Sequence, residues 1–195
     1  REQHKHRLNY MPWLYWSLKP KHREWAEQWQ AEYQAYLMEM ETVEIGKNCF
    51  ISPLAHIFAE RGRKISIGDN TFIAADCTLH GPLQIGSEVA INHHCILDGG
   101  RAGIKLHDQV RIAAYSHLYA FDHGMDLERP IYQQAVTSKG IEIGQDVWLG
   151  AHVGIKDGVK IGDHAVIGMN SMVTKDIEKH AIVAGNPARL IRYRK

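Results

Sequence analysis

The sequence predicts a mainly β fold in which the chain winds as a solenoid, preceded by an N-terminal α-helical segment. Three observations carry that reading. Through Ile141–Arg192 an aliphatic residue recurs at every sixth position: Ile143, Leu149, Ile155, Ile161, Ile167 and Val173. Four residues after each anchor stands a small or β-branched residue, namely Val147, Val153, Val159, Ala165, Ser171 and Ile177. A glycine follows four of the anchors directly, as Gly144, Gly150, Gly162 and Gly168. Neither the 3.6-residue period of a helix nor the two-residue period of a strand gives a strict period of six. A chain that bends every six residues around a narrow core does. On this reading the anchor fills the interior, the small residue fits the corner, and glycine tolerates the backbone angles of the turn.

The 195 residues suffice for one domain with a small appendage. A hydrophobic content of 45% and a formal net charge of +1 give no global basic excess for nucleic acid. No apolar run is long enough for a membrane span. The chain opens on Arg1, not Met, and no stretch reads as a signal peptide. Cys49, Cys77 and Cys95 are odd in number and form no C-x-x-C pair, which argues against a disulfide framework and for a reducing compartment such as the cytoplasm.

Residues 1–42 form the appendage, a tail and an amphipathic helix. Residues 1–19 have no clean period, and His4-Lys5-His6 reads as a solvated terminus. The run Met11–Trp16 is too short to cross a bilayer and is expected to pack on the body or a neighbouring subunit. A helix begins near Pro20, a residue suited to the first turn. Trp25, Trp29, Tyr33, Tyr36 and Met40 make its apolar stripe, with Arg23, Glu24, Glu27, Gln30 and Gln34 mostly on the other side. A stacked-coil body leaves a strand edge open at each end, and this helix is expected to cover the first.

The solenoid occupies residues 43–195. Ile45, Ile51 and Ile57 start the beat, and Glu60–Lys64 interrupts it. Ile67, Ile73, Leu79, Ile85, Ile91 and Leu97 continue it to a glycine-rich break at Asp98–Gly103. Leu106, Ile112 and Leu118 resume it. All three cysteines fall on the corner position and read as small buried residues. The beat then fails over residues 119–140, which carry His, Asp, Met, Arg and Tyr. A loop this long in a regular solenoid reads as functional.

The repeat, with the tail DVWLGAHVGIKDGVKIGDHAVIGMNSMVTKDI…IVAGNPARLIR, resembles the hexapeptide-repeat acyltransferases. It is most like the O-acetyltransferases typified by galactoside and maltose acetyltransferases and streptogramin acetyltransferases. The resemblance covers about residues 43–193. It implies a left-handed parallel β-helix of roughly six coils, about 30 Å tall at the usual strand spacing. It also implies a homotrimer with acetyl-CoA, as co-substrate, in the groove between subunits.

Acyl transfer from a thioester to a hydroxyl needs a base near the alcohol, and imidazole suits neutral pH. The segment Asp122-His123-Gly124-Met125-Asp126 is similar to the family's base-bearing loop, so the resemblance places the general base on His123. His117 competes for that role and otherwise reads as a groove residue on the acceptor side. On the acceptor wall Asn92 aligns without a gap and Asp98 after one inserted residue; an inter-coil polar ladder is the alternative. The resemblance puts cofactor contacts at Trp148, Ala151, Met169, Thr174, Lys175, Arg189 and Arg192, with the three cations facing phosphates. A solvated basic tail is the alternative for those cations. Met169-Asn170 departs from the family's small pair.

The function expected is acetyl-CoA-dependent O-acetylation of a sugar or sugar-containing acceptor, with no metal required. N-acetylation of an amino-sugar and acetylation of an antibiotic share the same base chemistry. A γ-type carbonic anhydrase on the same fold is a distant alternative, because His117 and His123 stand at H-x5-H where that family has H-x4-H. A non-catalytic scaffold is the last.

Overall fold

The computed structural model describes residues 1–195. The body is a three-sided prism of parallel sheets through which the chain winds about six times. The first face holds the strands Val43–Ile45, Ile65–Ile67, Leu83–Ile85, Ile104–Leu106, Ile141–Ile143 and Lys160–Ile161. The second holds Phe50–Ile51, Phe72–Ile73, Ala90–Ile91, Arg111–Ile112, Trp148–Leu149 and Val166–Ile167, and ends in Ala181–Ala184 paired antiparallel with Arg189–Tyr193. The third holds His56–Phe58, Thr78–His80, Ile96–Asp98, His117–Tyr119, Gly154–Ile155 and Met172–Val173.

The six-residue anchors form the interior. From Ile51 to Val173 each is buried, and Ile57 is the most exposed of them at 6%. Stacking sets identical positions over one another, as in the column Ile51, Ile73, Ile91, Ile112, Leu149, Ile167. Where successive members of that column stand 18 residues apart, three six-residue sides make one turn. Where they stand further apart, the extra residues lie at one place only, the third corner, between the third face and the first.

The corner glycines correct the sequence reading. The left-handed backbone falls on the third residue after the anchor, and that residue is not glycine: Asn70, Glu88, Gln109, Asp146 and His164 at the first corner, and Asp76, His94, Tyr115 and His152 at the second. The glycine after the anchor is needed for room. A Cβ on Gly150 would lie 2.7 Å from Met169 N, and one on Gly86 2.8 Å from Asp108 N, so the next coil could not close. The corner cysteines are buried free thiols, as expected. Burial pushes the Cys49 thiol up, and a hydrogen bond with Cys95, joined by burial, raises Cys77, so neither is poised as a thiolate.

Residues 1–19 are more ordered than their sequence implied. Helix α1 spans Glu2–Tyr10, a short 3-10 turn covers Pro12–Leu14, and helix α2 spans Pro20–Met40. Leu8, Tyr15, Trp25 and Ala26 pack with Phe50, Phe72 and Ala90 from the outer side of the second face. Asn9 and Tyr10 of α1 reach the prism, where Asn9 O accepts the Ala75 N–H at 2.7 Å and Tyr10 donates to Asp76 at 2.9 Å. In α2 the stripe holds for Trp25, Trp29 and Tyr33, while Tyr36 and Met40 are exposed. Gln30, assigned to the outer side, is buried instead. Its amide accepts from Ile51 N–H at 2.8 Å and donates to Ile51 O at 3.1 Å. Gln34 donates to Cys49 O at 2.9 Å. The open edge is thus covered by amides that supply both a donor and an acceptor, which an apolar stripe cannot do. No helix is long and apolar enough to cross a membrane.

Candidate active site

The loop over 119–140 leaves the prism at the third corner and folds into a small hairpin, Asp122–His123 antiparallel to Val136–Thr137. Gln134 staples its tip: its amide accepts from Asp126 N–H at 2.9 Å and donates to Asp126 O and Arg129 O, both at 2.8 Å. His123 is exposed at this hairpin, its ring centroid 6.2 Å from that of Phe121. Neither neighbouring acid orients it. The Asp122 carboxylate pairs with Lys156 Nζ at 2.7 Å, which ties the hairpin to the third face instead.

His117 points outward from the third face and overlies Gly154, where an added Cβ would come within 2.9 Å of its Nε2 and 2.6 Å of Met172 Sδ. Asn92 lies at the second corner, where its side-chain amide and its backbone N–H both donate to Ile112 O, at 2.8 and 3.0 Å. That is the geometry of an inter-coil ladder. Asp98 lies at the third corner beside Tyr119 and shares a cavity with Phe121 and Val136 of the hairpin. The structure therefore brings Asp98 to the root of the His123 hairpin and leaves Asn92 across the strand Ile96–Asp98.

The cofactor candidates divide between two places. Thr174, Lys175 and Arg189 line one cavity of about 390 Å³ at the C-terminal end of the prism. Trp148 and Arg192 lie outward on the second face in the row Trp148, Val166, Ile182, Arg192. Ala151 and Met169 sit at the adjoining second corner, Ala151 O accepting from Asn170 N–H at 2.9 Å, with Met169 exposed. Lys175 makes no ion pair. The guanidiniums of Arg189 and Arg192 reach only nearby carbonyls, Ala188 O at 3.0 Å and Tyr193 O at 3.5 Å. All three cations are thus open to an anionic ligand. In a three-sided prism the third corner lies opposite the second face, so one chain cannot fold the His123 hairpin onto the Trp148–Arg192 row.

Residues 140–175 match the family model described as bacterial transferase hexapeptide (six repeats). The galactoside O-acetyltransferase of Escherichia coli is 30% identical over 84% of this chain and 70% of its own length. The chain belongs to the hexapeptide-repeat acyltransferase family. A chloramphenicol acetyltransferase of Klebsiella aerogenes is 56% identical over 55% of the chain and 52% of its own length. Among solved structures, a point mutant of AntD, an N-acyltransferase from Bacillus cereus, in complex with dTDP and coenzyme A, superposes with a TM-score of 0.75 at 32% identity, covering 83% of this chain and 90% of that one. The chain spans only between 44% and 58% of the length of other curated relatives.

Reading by residue missed the surroundings of Asp98: Arg63, His80, Arg101, Phe121 and Ser138. The signal was present in the phase of the repeat. Each interruption follows an anchor of the third face, Ile57, Leu97 or Leu118, so all three had to emerge at one corner.

Proposed function

We propose that this protein is an acetyl-CoA-dependent O-acetyltransferase acting on a hydroxyl of a sugar or sugar-containing acceptor, with His123 as general base. The observation that carries this reading is the placement of an exposed imidazole on the one long insertion of an otherwise regular prism. The acceptor hydroxyl attacks the thioester carbonyl as His123 takes its proton. The new C–O bond forms and the C–S bond breaks, and the coenzyme leaves as a thiolate that recovers the proton as free thiol. The transfer is direct and needs no acyl-enzyme, and the three cysteines, being buried, are not placed as nucleophiles.

The phosphates of the coenzyme would meet Lys175, Arg189 and Arg192, and its pantetheine arm the backbone at Ala151 and Met169, beside Trp148 and Thr174. Because the hairpin and the second face lie on opposite sides of one prism, a complete site takes the base from one subunit and the cofactor wall from the next. A homotrimer meets that requirement. His123→Ala is expected to lower kcat by about 10²- to 10⁴-fold, the scale of a lost general base, with assembly and coenzyme binding unchanged. Thiol release in steady-state assays across sugars measures it, and turnover at the unmutated rate would sink the assignment. N-acyl transfer to an amino-sugar is the second reading, favoured by the likeness to AntD; the same acceptor screen separates ester from amide products.

A further inference from the structure

The interruptions at 60–64, 98–103 and 119–140 are stacked at the third corner, and together with His80 they wall a cavity of about 360 Å³. Its polar lining comes from Arg63, His80, Asp98, Arg101 and Ser138, and its aromatic side from Phe121. Asp98 is already engaged there. Its Oδ1 lies 3.6 Å from Arg63 Nη2 and accepts the Gly100 N–H at 3.0 Å, while its Oδ2 lies 3.4 Å from His80 Nδ1. Glu60 is engaged as well, with Oε1 3.1 Å from both Arg63 Nε and His80 Nε2.

Arg101 is different. Its backbone is pinned, because Ser138 Oγ accepts the N–H groups of Arg101 and Ala102 at 3.0 and 2.9 Å. Its guanidinium is exposed, with no hydrogen-bond or ion-pair partner in the chain. A cation on a fixed backbone, facing a cavity whose carboxylates are already engaged by Arg63 and His80, is arranged to receive an anion from outside. A guanidinium suits the two-oxygen edge of a carboxylate or phosphate. The cavity adjoins the proposed base through Phe121, which lines it and whose ring also neighbours His123.

We propose that the third-corner cavity is an acceptor subsite that selects a sugar carrying an anionic group, a carboxylate or a phosphate. Arg101 reads the anion, Arg63 screens Asp98 from it, and Phe121 offers an apolar face to the sugar ring. This rests on the reading of His123 as the base that faces the acceptor hydroxyl.

Calorimetric titration of the full chain, saturated with coenzyme A, with methyl glucoside, glucuronate and glucose 6-phosphate tests it. At least one anionic sugar is expected to bind about tenfold or more tightly than the neutral one, the scale of one charge-assisted hydrogen bond. Whichever anion binds more tightly tells a carboxylate from a phosphate. Arg101→Gln, a change at an exposed side chain, is expected to remove the preference, and Arg101→Lys to keep part of it. Equal binding of all three sugars, binding of none, or a preference that survives Arg101→Gln overturns the proposal. Failure of the acetyl-transfer reading registers separately, as absence of coenzyme A binding in the preceding titration and no thiol release with any acceptor.

Discussion

The first two corners of the prism and the third obey different rules. At the first and second, the chain turns in four residues, one left-handed, and the next coil lies close to the residue that follows the anchor, against glycine at places such as Gly86 and Gly150. Nothing can be inserted there without lifting the coil above. The third corner has close contacts of its own, since a Cβ on Gly81, Gly99 or Gly100 would fall within 2.3 Å of a backbone oxygen, but it also takes extra residues. It absorbs a short insertion after Ile57, another after Leu97 and the long hairpin segment after Leu118, while the strands on both sides stay in register. Two strict corners hold the stack, so variation in chain length gathers at the permissive one.

The contrast breaks first under substitution at a strict corner. A Cβ on Gly150 would approach Met169 N at 2.7 Å and Met169 Cα at 3.0 Å, backbone that cannot rotate away. Gly150→Val is expected to cost about 3 kcal/mol in urea unfolding, as overpacking does in a closed interior. Replacing residues 127–132 at the permissive corner with a Gly/Ser segment of equal length is expected to change stability by less than about 0.5 kcal/mol, since Leu127, Ile131 and Tyr132 are exposed. Similar losses from the two changes would abolish the distinction.

Next in size is the N-terminal edge, where the question is whether a strand edge needs its polar cover. Gln30→Ala leaves both the N–H and the C=O of Ile51 without partners in a buried setting. The expected loss is about 2 kcal/mol. An unchanged melting curve would mean that apolar packing of α2 alone covers the edge.

Legibility followed the same division. The strict corners could be read because each turn repeats the same crowding, so the core positions from Ile51 to Val173 and the burial of the cysteines were visible one residue at a time. The role of the glycines was misassigned because a period records that a side chain is excluded, not whether a dihedral or a neighbour excludes it. Helix α1 gave little signal, since it is held by Leu8, Asn9 and Tyr10 through partners as distant as Asp76. Gln30 was placed on the wrong side because amphipathicity treats polar side chains as solvent-seeking, whereas an edge strand recruits them inward. The proposed roles of His123, Asp98 and the cofactor candidates come from motif. The cluster Arg63, His80, Asp98 and Arg101 could not be read that way, because it exists only after coils that differ in length are stacked.

The smallest expected effect tests how firmly the appendage is joined to a strict corner. His93 stands at the second corner, packed edge-on against His94 and Tyr115, with the Tyr10 ring of α1 6.0 Å away. Burial holds its imidazole below the ordinary value, the neighbouring His94 adds to that, and Asp76 opposes it. Its Nδ1 has no hydrogen-bond partner. A base whose folded pKa lies below its unfolded value binds more protons when unfolded, so stability rises with pH up to the unfolded value near about 6.5 and falls below it. Melting temperature should therefore be lower at pH 5.5 than at pH 7.5, and His93→Gln, which cannot titrate, should flatten that slope. Because α1 meets the prism through Tyr10 and Asp76 at this same corner, proteolysis within residues 1–19 should accelerate in the acidic buffer for the parent chain and less so for the variant. If the two chains lose stability equally on acidification, the pH response belongs to the other histidines and the corner is held by packing alone.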